Sequence, residues 1–143
     1  MSVHTREELE RISRVARREF SCALISDTKW RKLFLGLSKA RESESQMLIQ
    51  FLEVADVSVM HIPTENALWC PRPYIDTIEF GPVELRAIEW LEVPRVASWP
   101  RSNNLPPRQI LQDLDKFRVA LRGLGHFPLI ETPEGMRFDG YKR

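Results

Sequence analysis

The sequence contains few of the residues that usually mark covalent, redox or metal chemistry. It has two cysteines, six glycines and three histidines among 143 residues. Cys22 and Cys70 stand in neither a CxxC nor a Cys/His ligand spacing, so we expect both to be reduced, buried thiols. The glycines are too few and too scattered to form a phosphate-binding loop. These shortages exclude a disulfide framework and the common zinc motifs.

The signatures of familiar enzymes are also missing. The chain has no GxGxxG, GxxxxGK[ST], HExxH, GxSxG or EF-hand pattern, which argues against nucleotide, zinc-protease, serine-hydrolase and calcium chemistry. His4, His61 and His126 are far apart in sequence, and none has a partner at helical metal-ligand spacing. We therefore predict a protein that is not an enzyme, with no catalytic residue, no metal and no cofactor.

No apolar run approaches the length of a membrane span, and the N-terminus lacks the apolar core of a secretory signal. We therefore expect a cytoplasmic protein that does not act on a membrane. Charge of one sign is not in excess either, because 21 Lys and Arg oppose 20 Asp and Glu. We therefore do not expect nucleic acid as a partner. The arginines between Arg6 and Arg18 alternate with glutamates as on a solvated helix face.

The residues that are present suit one α+β domain spanning 1–143. With 43% hydrophobic residues, a chain of this length buries roughly 68% of its unfolded surface. The order of patterns is two helices, several strands, a helix and a closing hairpin. This order predicts a small mixed or antiparallel sheet with helices packed on one face.

Three segments have helical patterns. Thr5 and Glu8 have capping-box spacing, which predicts a helix start whose apolar stripe continues to Leu24. Ser26 or Asp27 can cap a second helix, with Trp30 on its buried face. A third amphipathic pattern runs over 109–124, after a pair of prolines that suits a first helical turn.

Other segments have strand patterns. The strongest covers 83–93, where Ile88 and Trp90 are expected on one face and Leu91 and Val93 on the other. Shorter runs cover 47–54, 57–62 and, at an edge, 74–80. The chain is predicted to end in a hairpin of 127–130 and 136–138, in which Gly135 supplies a positive φ.

Two proline-rich segments, 63–82 and 94–107, carry aromatic and charged residues on irregular backbone. Each could be a contact surface or a lid folded over the sheet. Because aromatic and Arg side chains are enriched at interface hot spots, we predict a partner-binding role for these residues and the nearby acids: Trp69, Tyr74, Asp76, Glu79, Trp99 and Arg101.

Three blocks of the sequence resemble a family of small bacterial proteins known only as a domain of unknown function. They are DTKWRKL at 27–33, IEWLEV at 88–93, and FDGY at 138–141. The resemblance implies the size and shape of the domain, but it implies no activity and no catalytic residue. Because Trp, Leu and Ile dominate the blocks, we interpret them as packing signatures.

Two functional hypotheses remain. The first is an immunity or antitoxin-like protein that binds and occludes a bacterial toxin, with Asp76 and Glu79 facing a basic toxin surface. The alternative is a small metal-dependent hydrolase or nuclease that uses carboxylates near Asp76 and Glu89. The sequence leaves the toxin and the oligomeric state open.

Overall fold

The computed structural model describes residues 6–69 and 73–142. The α-helices are α1 (Arg6–Glu19), α2 (Asp27–Ala40) and α3 (Leu114–Arg122). Within the described residues, none of these helices combines the length and apolarity needed to cross a membrane. The strands are β1 (Cys22–Ala23), β2 (Gln46–Phe51), β3 (Ser58–His61), β4 (Tyr74–Thr77), β5 (Gly81–Glu84), β6 (Ile88–Pro94), β7 (Val96–Trp99), β8 (Arg108–Leu111), β9 (Leu129–Glu131), β10 (Gly135–Asp139) and β11 (Tyr141–Lys142).

A five-stranded antiparallel sheet forms the centre of the fold, in the order β3-β2-β6-β10-β9. Phe34 of α2 and Phe117 of α3 belong to the same buried core as Ile49, Leu91 and Phe138 of the sheet. Both helices therefore cover one face, which confirms the α+β class with helices on one side. Three two-stranded ribbons, β1-β11, β4-β5 and β7-β8, surround this core.

The first helix is shorter than its apolar stripe suggested. Thr5, its expected cap, lies outside the described residues, and α1 ends at Glu19. Beyond it the backbone pairs with the C-terminus, because the amide of Leu24 donates to the carbonyl of Gly140. Ala23 and Leu24 are consequently exposed. The extension of the stripe to Leu24 was wrong, because strand pairing replaced the last helical turn.

The second helix begins as predicted. The Ser26 hydroxyl accepts a hydrogen bond from the amide of Lys29, and α2 follows directly. Trp30 is only 2% exposed, which confirms its core role. All three blocks of the family resemblance meet beside it, since Gly140 donates its amide to the Glu89 carbonyl. A Cβ at Gly140 would lie 3.0 Å from Cζ2 of Trp30.

The predicted long strand over 83–93 is broken in two. A short 3-10 turn, Leu85–Ala87, separates β5 from β6, and these strands join different sheets. The pairing of β6 with β2 contains a β-bulge at Glu89. Gln50 pairs with Trp90 and Phe51 pairs with Ile88, so Glu89 is an extra residue on β6. This bulge turns Ile88 onto the helix-covered face with Leu91, so the expected sharing of a face by Ile88 and Trp90 was wrong.

The third helix starts later than the sequence suggested. Residues 108–111 form β8, which pairs with β7 in a hairpin that the sequence analysis treated as loop and helix. Helix α3 begins only after Asp113, whose side chain accepts a hydrogen bond from the amide of Lys116. Leu111 lies within the amphipathic pattern predicted over 109–124, but it is 77% exposed. The N-cap of α3 lies inside the apolar pattern over 109–124. The predicted start of the helix was therefore too early.

The closing hairpin of β9 and β10 is confirmed, with a correction at its turn. Among the described glycines, Gly81 and Gly125 have a positive φ. Gly135 does not, so the positive φ predicted for it was wrong. An added Cβ at Gly135 would instead lie 2.3 Å from the carbonyl oxygen of Val93. The position therefore requires glycine because β6 and β10 approach closely there.

Candidate partner-binding surface

The turn between β4 and β5 is held in one conformation by its own side chain. The Thr77 hydroxyl donates to the Gly81 carbonyl at 2.9 Å and accepts from the Phe80 amide at 3.0 Å. Gly81 completes the turn with a φ of 67°, in the region that favours glycine. The tip of this turn presents Ile78, which is 69% exposed. A large apolar side chain is therefore displayed on a rigid support.

Glu79, beside Ile78, fastens this turn to the edge of the central sheet. Its Oε2 accepts a hydrogen bond from the backbone amide of His61 at 2.9 Å and lies 2.9 Å from His61 Nδ1. Antiparallel pairing alternates along β3 and turns this amide away from β2. The carboxylate thus satisfies an outward donor on an edge strand, which blocks further pairing at that position.

His61 also stacks on Trp99, which comes from the second proline-rich segment. The two rings lie 4.0 Å apart between centroids and are inclined by 17°. The indole Nε1 donates to the carbonyl of Glu44 at 3.0 Å, so the ring is fixed and half-buried. We call Ile78, Glu79, Phe80, His61 and Trp99 together the turn surface.

The partner-binding residues predicted from the sequence do not all lie together in the structure. It brings Glu79 and Trp99 together through His61, which sequence reasoning had treated as an isolated histidine. Trp69 ends the 3-10 turn Glu65–Trp69 and is 73% exposed. Tyr74 is only 6% exposed, so its predicted role as an exposed anchor was wrong.

The remaining two candidates are Asp76 and Arg101. Asp76 is half-buried on β4. Arg101 is exposed, and its Nε donates to the Pro106 carbonyl at 2.8 Å, within the loop that joins β7 and β8. Arg101 therefore shapes its own loop, and the structure does not place it on the turn surface.

Arg31 of α2 holds the first proline-rich segment against the core. Its two Nη atoms donate to the carbonyls of Leu68 and Tyr74. The guanidinium of Arg31 is therefore half-buried among these acceptors although it belongs to a charged stretch of α2. The described part of segment 63–82 is thus a packed layer whose turn tip and Trp69 are exposed.

The face of the sheet opposite the helices continues from the turn surface. Strand pairing aligns a row of side chains across all five strands: Val59, Leu48, Glu92, Arg137 and Ile130. The guanidinium of Arg137 lies 4.4 Å from the centroid of the Trp90 ring, within cation–π range. Burial raises the pKa of the Glu92 carboxyl, and the charge of Arg137 opposes that shift.

The alternative hypothesis of a metal-dependent hydrolase or nuclease needs a cluster of metal-ligating side chains. Within residues 6–69 and 73–142, no three His, Cys, Asp or Glu side chains are grouped so that they could hold a metal ion. Asp76 lies on the β4-β5 ribbon, whereas Glu89 is the bulged residue of the central sheet. The carboxylates proposed for that chemistry therefore belong to different sheets.

The expectation of two buried cysteines is wrong for the one that the structure describes. Cys22 on β1 is a free, exposed thiol, since the strand that carries it lies at the surface beside β11. Cys70 lies outside the described residues.

Removing the Glu79 carboxylate tests its role as an edge cap. In Glu79→Ala we expect the His61 amide to exchange its hydrogen about tenfold faster, because its hydrogen-bond acceptor is gone. Glu79→Gln is the matched control, since its side chain keeps an acceptor oxygen at the same distance. Amide exchange followed by NMR measures both variants. Equal exchange at His61 in Glu79→Ala and the wild type would refute the cap.

Comparison of the chain with protein-family models, with curated proteins and with solved structures found no match. The resemblance of the three blocks to a family therefore stays a prediction. The three blocks contact one another, because the Gly140 amide donates to the Glu89 carbonyl and a Cβ at Gly140 would lie 3.0 Å from Cζ2 of Trp30.

Proposed function

We propose that the protein is a cytoplasmic binding protein of the immunity or antitoxin type, which occludes a bacterial toxin with its turn surface. The observation that carries this proposal is the rigid presentation of Ile78, 69% exposed, beside a carboxylate locked onto His61. An exposed apolar side chain on a fixed turn gains nothing for the isolated fold. An apolar side chain held in this way suits a pocket on a partner's surface.

Rigidity favours binding because less conformational freedom is lost on association. Ile78 lies on a turn closed by two hydrogen bonds of Thr77. Trp99 is held by its stack on His61 and by the Glu44 carbonyl. The turn surface therefore needs little reorganisation to meet a partner. Trp69, 73% exposed on the same segment, is a second anchor.

Charge at this surface suits a basic partner. Glu79 contributes a carboxylate at the turn, and Asp76 lies on the same hairpin. Glu44 adds a further carboxylate behind Trp99, partly balanced by Arg108 at 3.4 Å. Negative groups around an apolar centre steer association with a positively charged groove and raise the association rate. The exposed thiol of Cys22 suits a reducing compartment.

Inhibition of the partner's activity tests the proposal. The tagged protein is used to capture its partner from the native cell extract, and the partner's activity is then assayed free and after titration with the purified protein. We expect activity to fall to its baseline at one equivalent. A partner that stays fully active in a stoichiometric complex would contradict occlusion, as would the failure of any protein to co-purify.

Replacing the exposed anchor by a charge gives a sharper test. In Ile78→Asp we expect the dissociation constant of the partner to rise about tenfold to a hundredfold, as for an interface hot spot. The aspartate should not disturb the fold, because the side chain is exposed on a turn. Val119→Asp is the matched control, since Val119 is 62% exposed on α3. Calorimetry measures both, and equal affinities would exclude Ile78 from the interface.

A further inference from the structure

A cleft on the side of the molecule formed by α1 and the start of α2 is separate from the turn surface. Its volume is about 580 Å³, within the range of pockets that bind small molecules. The apolar part of its wall is formed by Ala16, Phe20 and Ile25. Phe20 stacks on Tyr141 with 5.2 Å between the ring centroids, so this wall is well packed.

Arg86 is fixed at the polar end of the cleft. Its Nε lies 3.4 Å from Oδ2 of Asp27 on α2, and its Nη1 lies 3.4 Å from the Ser13 hydroxyl on α1. Tyr141 donates its hydroxyl proton to the Arg86 carbonyl at 2.5 Å. Burial, followed by the charge of Asp27, raises the pKa of Tyr141 to about 12, so this donor persists at neutral pH. Arg86 is therefore held by groups from three elements.

The guanidinium of Arg86 keeps donors that its own fold does not use. Within the described residues its Nη2 makes no hydrogen bond, and the side chain is 42% exposed. Arg17, which lines the same cleft one helical turn beyond Ser13, forms no ion pair with any described residue. Two cationic side chains thus line one cleft. Among the described residues of its lining, Asp27 is the only carboxylate, and it is already engaged by Arg86.

We propose that this cleft binds a small organic anion whose carboxylate or phosphate group contacts Arg86 and Arg17 and whose apolar body lies on Phe20. Guanidinium groups match the geometry of both oxyanions. The fixed position of Arg86 reduces the entropy lost on binding. The apolar wall favours a ligand with a hydrocarbon or aromatic part, because such a part removes the remaining exposed apolar surface from water. This site does not depend on the proposed inhibition of a toxin.

Calorimetric titration with four probes tests the assignment: phenyl phosphate, benzoate, inorganic phosphate and neutral benzyl alcohol. We expect saturable binding of at least one aromatic anion, and about tenfold weaker binding of both inorganic phosphate and benzyl alcohol. Phenyl phosphate and benzoate distinguish the two oxyanions. If benzyl alcohol binds as tightly as the anions, or no aromatic anion saturates the protein below about 10 mM, the proposal is wrong.

Charge removal on α1 supplies the matched variants. Arg17→Gln should weaken the binding of the aromatic anion by about fivefold to tenfold. Arg14→Gln removes the same charge from an exposed position of the same helix that does not line the cleft, and it should bind like the wild type. Equal affinities of the two variants would overturn the site.

Cys22 gives a second readout that does not depend on heat signals. Its exposed thiol lines the cleft, so an occupied cleft should slow its alkylation by neutral iodoacetamide about tenfold at saturation. An unchanged alkylation rate at a phenyl phosphate concentration that saturates the calorimetric signal would show that the anion binds elsewhere. Because neither readout involves the partner, failure here leaves the proposed function untouched.

Discussion

Trp30→Ala is expected to lower the free energy of unfolding by about 3–5 kcal/mol, the range measured for large aromatic side chains removed from a packed core. Trp30 is 2% exposed and lies 6.2 Å from Phe34 between ring centroids. It also contacts the backbone around Gly140. Its loss leaves a cavity where α2 meets the sheet and the C-terminal strand.

Urea unfolding followed by far-UV circular dichroism measures this change. Val119→Ala on α3 is the control, because a 62% exposed side chain should change stability by less than about 0.5 kcal/mol. A loss below about 1 kcal/mol for Trp30→Ala would show that Trp30 does not anchor the core as the buried packing indicates.

Gly140→Ala is expected to destabilise the protein by about 1–3 kcal/mol through overpacking. Its new Cβ would lie 2.6 Å from the carbonyl oxygen of Ile88 and 3.0 Å from Cζ2 of Trp30. The first of these neighbours is backbone of the central strand β6, which cannot move aside without disturbing the sheet. The Gly-Tyr pair at the end of the chain is therefore a packing requirement.

Gly123→Ala is the matched control for this substitution. Nothing lies within 4 Å of a Cβ placed at Gly123, and its φ of −85° suits any residue. We expect no loss, and a gain of up to about 1 kcal/mol from the reduced entropy of the unfolded chain. Thermal unfolding compares the two variants. Equal midpoints would mean that the close approach at Gly140 relaxes without cost.

Local signals in the sequence predicted much of the fold correctly. Ser26 and the apolar spacing around Trp30 placed α2, because a cap and a helical period both act over a few residues. The turn at Thr132–Gly135 placed the final hairpin for the same reason. The errors occur where the local structure depends on pairing between strands that are distant in sequence. The bulge at Glu89 depends on the register with β2, which no local pattern encodes.

The candidate surface was predicted only in part. Glu79 and Trp99 were expected on two proline-rich segments, and both lie on the turn surface. His61 was missed because its partners are 18 and 38 residues away in sequence. Tyr74 was misjudged because composition does not reveal which face of a short strand is buried. Alternation over 74–77 gave no signal, because Tyr74 and Asp76 point to the same face of β4 and still differ in burial.

The central claim, that the turn surface binds a partner protein, is tested most directly by parallel affinity capture. Tagged wild type, Ile78→Asp and Val119→Asp are incubated with the same native extract at moderate ionic strength, and co-purifying proteins are quantified. We expect one stoichiometric partner with the wild type and with Val119→Asp, and its loss with Ile78→Asp. Equal recovery with all three proteins, or no partner with any, would contradict the claim.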